Sequence, residues 1–337
     1  MVNITFVYDV ISSLDDLYFE QAWASAWTLR HYNSDATIML VTDQATADSL
    51  QSEQRRNALS LFNRILVADI PKEYSNKEKS RWVKTNLRNL IKGDFLFIDA
   101  DTIICDSLGG LNDIDCAVGA VLDYHCHARE ICQYDIFNAM TRKPLKDIFC
   151  LEYDPSTDVY NSGLLLVRDT PEAYKLFDAW HANWELSRSK GECRDQLSLT
   201  ATNQQNPGLI TEIGGIYNCQ LRYSMQYFHA AKILHTFASQ GDNSLSVLFC
   251  HKIYQFIREN RMISKETQDL LLNAKNMINS PSIMVDKEHI GLSFTPAFLL
   301  LRQTFESNDK YEGLAFRIMN FIARVLSHGL RSRQHNK

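Results

Sequence analysis

Phe95-Leu96-Phe97-Ile98-Asp99-Ala100-Asp101-Thr102-Ile103-Ile104 sets two carboxylates, one small residue apart, where an unbroken apolar run gives out. A run this short and this apolar reads as a strand buried on both faces, as in a parallel sheet covered by helices. Asp99 and Asp101 repel each other unless a positive charge sits between them or one of them takes up a proton. Hard oxygen ligands of this kind suit Mg²⁺ or Mn²⁺, which bind few protein groups and leave positions open for phosphate oxygens. Asp-x-Asp alone is a weak signal, and it gains weight from its surroundings.

Upstream, strand-like and helix-like stretches alternate. Ile4 to Tyr8 is a short apolar run ending at Asp9, followed by a helical pattern from Asp15 to Tyr32. Thr37 to Val41 ends at Thr42-Asp43 and leads into a helix-like stretch through Ala58, and Arg64 to Ala68 gives a third strand. A polar, lysine-rich stretch from Pro71 to Lys79 breaks the rhythm before a helical run from Arg81 to Ile91, which feeds the strand Asp94 to Ile98. The expected fold is α/β with a mainly parallel open sheet, where ligands gather outside the carboxyl ends of the strands. Asp9, Asp43, Asp99, Asp101 and Asp123 all stand where an apolar strand ends. Asp43 is read as a turn or cap residue, a common use of aspartate.

The length of 337 residues suits one large domain with an appendage, and a net charge of −5 gives no reason to expect a nucleic-acid partner. Met1 to Val10 reads as a strand from the start, so no secretory signal is expected, and no segment reaches the roughly 18 apolar residues of a membrane span. The eight cysteines form no Cys-x-x-Cys pair, which argues against a zinc module and for reduced thiols in a cytoplasmic protein. His125-Cys126-His127 lacks metal-ligand spacing, because neighbours in an extended chain point to opposite sides.

With these residues in hand, the chain resembles the GT-A fold glycosyltransferases of the family 8 type over roughly residues 1 to 250. The resemblance implies a mixed, mainly parallel, Rossmann-like sheet and Mn²⁺ or Mg²⁺ held at Asp99 and Asp101; beyond it, residues 251–337 are expected to form a helical C-terminal region. Residue by residue, Lys84 and Arg88 match a place where the family sets a basic residue against the donor. Asn161-Ser162-Gly163 before Leu164 to Val167 matches an Asn-x-Gly segment, and Asp195-Gln196 matches a pair that contacts the transferred sugar. His235, at the end of Lys232-Ile233-Leu234, matches the third metal ligand. The family continues with a glycine and Lys-Pro-Trp, whereas Ala238-Ser239-Gln240-Gly241-Asp242 stands here, so Lys84, Arg88 or Lys232 would have to replace the missing diphosphate-binding lysine.

The resemblance further implies a nucleotide diphosphate sugar, a UDP-sugar, as donor and retention of anomeric configuration. The base would lie near Tyr8 and Asp9, and the sugar toward Asp123, Asn161, Gly163, Asp195 and Gln196. Two other classes stay open: a nucleotide-sugar-binding module without activity, and a phosphatase of the haloacid dehalogenase type, whose Asp-x-Asp ends the first strand of its domain rather than the fourth. From Gly313 to Arg331 the tail has a helical period, with Ile318, Phe321, Ile322, Val325 and Leu326 on one face and Arg317, Arg324, His328 and Arg331 on another. That pattern fits either a helix packed on the catalytic domain with a solvated basic face, or peripheral contact with the inner face of an anionic membrane, beside a glycan or lipid-linked acceptor in polysaccharide biosynthesis.

Overall fold

The computed structural model describes residues 4–133, 137–221, 223, 226–237, 251–276, 295–306, 311 and 313–323. Its centre is a seven-stranded sheet in the order β3-β2-β1-β4-β7-β6-β8. These strands are β1 Thr5–Asp9, β2 Thr37–Thr42, β3 Arg64–Val67, β4 Phe95–Ile98, β6 Val118–Leu122, β7 Tyr160–Val167 and β8 Ile210–Glu212. All run the same way except β7, which is antiparallel to both β4 and β6. The fold read from the sequence, α/β with a mixed and mainly parallel sheet, is the fold observed. A second sheet, in the order β5-β10-β9, joins β5 Thr102–Ile104, β9 Cys219–Gln220 and β10 Ile233–His235.

Strand alternation sorts the core into two layers. Phe6, Tyr8, Ile38, Leu40, Leu96 and Ile98 face α1 Tyr18–Tyr32, whose Phe19, Trp23 and Ala26 pack against them. Val7, Met39, Val41, Phe95 and Phe97 face the other way, toward Val83 and Leu87 of a second long helix and toward Phe177 and Trp180 of a third. Helices on both faces explain why these strands are nearly uninterrupted apolar runs. Asp43 caps α2 Gln44–Ser49 by accepting from Thr46 N at 2.9 Å, as its position at a strand end suggested.

The second long helix, α3 Asn76–Leu90, begins five residues before the expected Arg81. Ser75 accepts from Glu78 N while the Glu78 carboxylate accepts from Ser75 N, and this capping box outweighs the polar composition of the first turn. The remaining long helices are α4 Pro171–Ser189 and α5 Asp195–Gln205.

Residues 251–276 join the main core. In α6 His251–Asn260, Tyr254 and Ile257 are buried in the α1-side cluster, and Leu271 of α7 Lys265–Leu272 follows. Glu20 of α1 fixes the contact, pairing with Arg55 Nε at 3.0 Å and with Arg258 Nη2 at 2.7 Å. Arg258 also donates to Leu14 O, and Arg55 to Ser13 O, so one carboxylate ties the loop after β1 to the C-terminal helices. Residues 313–323 are helical, whereas Arg324, Val325, Leu326, His328 and Arg331 of the expected tail helix, and Ala238 to Asp242, lie outside the described residues. No helix among the described residues is long and apolar enough to cross a membrane.

Glu20 and Arg55 are wholly buried. Glu20→Gln should leave two guanidinium groups short of their counter-charge and lower the unfolding free energy by about 3 kcal/mol. A urea titration showing a loss below about 1 kcal/mol, the scale of an exposed pair, would contradict this.

Candidate active site

Strand order brings distant residues together at the carboxyl edge of the large sheet. β4 ends at Asp99, the chain turns through Ala100 and Asp101 into β5, and β10 pairs antiparallel with β5 so that His235 faces Thr102. One ligand atom each from Asp99, Asp101 and His235 falls within a 4.8 Å cluster. His235 Nε2 lies 3.2 Å from Asp101 Oδ1 and 4.0 Å from Asp99 Oδ2. Thr236 closes the corner, its N–H and hydroxyl both donating to Asp101 O at 3.0 and 2.9 Å.

A buried chain of amides orients the imidazole. His235 Nδ1 lies 3.0 Å from Asn218 Oδ1, which can only accept, so Nδ1 carries the proton and Nε2 points at the carboxylates. Asn218 Nδ2 donates to Asn161 Oδ1 at 2.9 Å, and Asn161 Nδ2 donates to Asp123 Oδ1 at 3.0 Å. Metal-binding histidines are commonly set by such partners. Burial works against charge on His235, yet Asp101 and then Asp99 hold its pKa above the ordinary histidine value. Burial would likewise raise the Asp101 pKa, but His235 outweighs it and the carboxyl lies below its usual range. Two carboxylates and an imidazole so disposed fit a divalent cation of the Mg²⁺ or Mn²⁺ kind.

Gly163 makes the close approach workable. A Cβ there would fall 2.5 Å from His235 Cε1 and 2.7 Å from Asp99 Oδ2. Gly163 N donates to Asn161 Oδ1, and Gly163 O accepts from Asp99 N at 2.8 Å. The pairing of β6 with β7 shifts register at this point, between Ala120 and Val121, and such irregularities re-aim side chains beside sites.

A charged flank borders Asp99. Lys84, 2% exposed, reaches Asp99 Oδ1 at 2.8 Å and Asp195 Oδ2 at 3.3 Å. Burial alone would neutralise this lysine, but Asp195 and Asp99 raise its pKa instead. Asp195 also meets Arg81 Nε at 2.8 Å and the Ser162 hydroxyl at 2.8 Å. Burial favours its neutral form, yet Lys84 and Arg81 together push its pKa well below the carboxylate range. Trp180 of α4 donates to Asp195 O and so anchors the start of α5. Asp9 accepts from the Ser80 hydroxyl at 3.0 Å, and burial lifts its pKa to about 6 against the pull of Lys84. Burial lifts Asp123 to about 6 as well, opposed by the hydrogen bond from Asn161.

Other expected site residues are placed elsewhere or bound up in support. Tyr8 is fully buried on the α1 side, its hydroxyl 3.0 Å from Ser25 Oγ, because alternation turns it away from Asp9. Arg88 is fully buried a turn below Lys84, donating to the carbonyls of Ile91, Gly93 and Arg168. Since α3 runs antiparallel to β4, a turn further along the helix is a turn away from the carboxyl edge. Lys232 donates to Ser107 O at 2.8 Å at the far end of β10. Of the three cations considered as replacements, Lys84 alone touches the cluster. Gln196 accepts from Ser162 N and donates to Tyr160 O, pinning the start of β7. His125 Nε2 accepts from Gln220 N at 2.8 Å and His127 pairs with Asp158, which gives both the structural roles expected of them.

Arg81, Asn218 and Gln220 did not emerge from the sequence. Arg81 had a signal, since Ser80, Arg81 and Lys84 share one face of α3. Asn218 and Gln220 had none, because they sit in and just after an irregular stretch that follows the 3₁₀ turn Gly215–Tyr217.

No protein-family model matches the chain, and no curated protein matches it. Among solved structures, it is similar to mouse xyloside xylosyltransferase 1 in its apo form at 13% identity, covering 69% of this chain and 97% of that one with a TM-score of 0.44. It is similar to the galactosyltransferase LgtC in complex with donor and acceptor sugar analogues, at 12% identity over 79% of this chain and 100% of that one, TM-score 0.47. The glycosyltransferase GlyE of Streptococcus pneumoniae TIGR4 is similar at 16% identity over 84% of this chain and 65% of that one, TM-score 0.46. Resemblance of this degree assigns no role to any residue.

Gly163→Ala should keep the strand but force His235 and Asp99 apart, weakening Mn²⁺ binding about 10- to 100-fold, the scale seen when the support of a metal ligand is lost. Titration calorimetry measures the affinity and circular dichroism checks the fold. An unchanged Mn²⁺ affinity in a folded variant would remove this cluster as the cation seat.

Proposed function

We propose that the chain is a metal-dependent glycosyltransferase, moving a sugar from a nucleotide diphosphate donor, a UDP-sugar, to a glycan or lipid-linked acceptor with retention of configuration. The observation that carries this reading is the His235 imidazole, fixed by Asn218 so that Nε2 faces Asp99 and Asp101 beside the held anion Asp195. Mn²⁺ or Mg²⁺ bound there would neutralise negative charge developing on the departing diphosphate.

The chain's own residues supply the rest. Asp195 is kept ionised by Lys84, Arg81 and Ser162, a fixed negative charge that can stabilise an oxocarbenium-like state without forming a lasting bond. Lys84 screens Asp99 from Asp195, which lets three acids share one small region. Asp123, Asn161 and Gly163 act through the imidazole and the strand, as positioning residues. Asp9, at the end of β1 and next to α3, stands where the nucleoside would lie, and Gln196 braces the strand start beneath the sugar.

Peripheral membrane contact forms part of the proposal. Leu314, Ile318, Phe321 and Ile322 of the 313–323 helix are each at least half exposed. After Glu312 the sequence has no acidic residue and five basic ones, Arg317, Arg324, Arg331, Arg333 and Lys337. An apolar face next to excess positive charge suits an anionic lipid surface.

Asp101→Ala should abolish the Mn²⁺-dependent rise in melting temperature that UDP gives the wild type, because a ligand stabilises only the state it binds. A rise that survives in the variant would refute the metal assignment, and a wild type that binds UDP-sugars without hydrolysis or transfer would favour the binding-module reading. For the membrane, the full chain should sediment with phosphatidylglycerol vesicles at low salt, and a Phe321→Ser, Ile322→Ser double variant should not. Equal binding by both, or by neither, would rule that contact out.

A further inference from the structure

The turn that carries Asp99 and Asp101 is gripped through its backbone from two sides. Thr236 holds Asp101 O from the β10 side. From the α1 side, the Thr102 hydroxyl donates to Asp99 O at 2.9 Å, and Thr102 Oγ1 lies 2.7 Å from Ser25 Oγ. Ser25 Oγ lies 3.0 Å from the Tyr8 hydroxyl. All three residues are buried, so a line of hydroxyls runs from β1 through α1 to the carbonyl of an acid in the metal cluster.

The order of protons along this line is fixed from its end. Asp99 O can only accept, so the single Thr102 hydroxyl proton goes there. Ser25 must then donate to Thr102, and Tyr8 to Ser25. Burial raises the Tyr8 pKa above the ordinary phenol value, which keeps the first proton in place. Thr28, three residues beyond Ser25 on the same face of α1, accepts from Ile104 N at 3.1 Å, at the edge of β5 that β10 leaves unpaired. Helix α1 thus presents hydroxyls to the whole of β5, the strand that leaves the metal turn.

Packing alone does not call for hydroxyls here. Tyr8 belongs to the α1-side core together with Leu29, Ile98 and Ile103. A buried hydroxyl costs free energy unless it is bonded, whereas apolar groups of the same shape in place of both partners can be neutral or stabilising. Serine and threonine are also poorer than alanine inside a helix. What the hydroxyls add, and apolar side chains would not, is a held carbonyl at Asp99.

We propose that Thr102, Ser25 and Tyr8 are positioning residues for the cation, fixing the peptide between Asp99 and Ala100 and through it the separation and aim of the two carboxylates. Lys84 and His235 act on the carboxylates themselves, and the hydroxyl line acts on the backbone that joins them. This assignment rests on the metal-dependent reading and extends it to residues on the far side of the turn.

The test is calorimetric titration of the full chain with Mn²⁺, alongside urea unfolding, for the wild type, Thr102→Val, Thr102→Ser and Tyr8→Phe. Valine keeps the shape and loses the hydroxyl, so Mn²⁺ affinity should fall about tenfold, the lower end of the range for lost support of a metal ligand. Serine keeps the hydroxyl and loses a buried methyl group, so Thr102→Ser should unfold at lower urea and still bind Mn²⁺ as the wild type does. Tyr8→Phe, which removes only the far end of the line, should weaken Mn²⁺ about threefold, the low end of the net worth of one hydrogen bond. Unchanged affinity in Thr102→Val or in Tyr8→Phe overturns the proposal, and so does an equal loss in Thr102→Ser and Thr102→Val, which would make the effect one of packing. Should Thr102→Val not fold, Tyr8→Phe decides alone. A wild type that binds no Mn²⁺ would instead count against the metal-dependent reading itself.

Discussion

Two carboxylates that repel each other, Asp99 and Asp101, are held in one small cluster, and much of the surrounding structure answers that repulsion. Each acid has its own basic partner: Lys84 Nζ on Asp99 Oδ1 at 2.8 Å, and His235 Nε2 on Asp101 Oδ1 at 3.2 Å. Neither partner is free to leave, since an uncompensated charge in a buried place costs far more than one lost hydrogen bond. The placement of α3, which carries Lys84, and of β10, which carries His235, is thus tied to the acid pair. Asp195 extends the scheme by sharing Lys84, and it needs Arg81 because one ammonium group cannot neutralise two acids.

Sheet topology decides which chain segments can reach this cluster. In a wholly parallel sheet the carboxyl edge would receive only strand ends. The reversal of β7 delivers the beginning of a strand to that edge, and with it Asn161, Ser162 and Gly163. Three tasks then fall to consecutive residues: Asn161 relays to Asn218, Ser162 holds Asp195, and Gly163 leaves room for the imidazole. Regular pairing would point alternate residues to opposite faces of the sheet. The register shift beside β6 is what lets neighbours in sequence serve one site.

Those parts of the fold that follow from periodicity were legible in the sequence. The apolar runs of β1, β2 and β4 and the Asp-x-Asp after β4 stood where expected, because a strand covered on both faces must be apolar throughout. Boundaries set by local hydrogen bonds were less legible: α3 starts early on account of Ser75 and Glu78, which a hydrophobic pattern does not register. Side-chain direction was legible only when the pleat or helix phase was applied. Tyr8 and Arg88 were grouped with site residues through the family resemblance, which does not register direction; the pleat turns the first to α1 while the helix carries the second below the edge. Asn218 belongs to a different class of problem, because its role comes from a contact with His235 and Asn161 that no local pattern encodes.

Rigidity is unevenly spread around the site. On the charged flank, side chains extend from α3 and α5, and Trp180 locks the start of α5 through Asp195 O. The aromatic side is built from loops, with backbone at Tyr124, His125 and Phe237 held in left-handed conformations by Gln220 and Thr236. Side chains on regular helices keep a fixed geometry at little local cost, which suits groups that must hold charge at a set distance. Loop-borne rings rest on that arrangement from outside, Phe237 lying flat against the His235 imidazole. Strain of about 1–3 kcal/mol at each left-handed position is thus carried by loops, apart from the helices that hold the charged groups at their set distances.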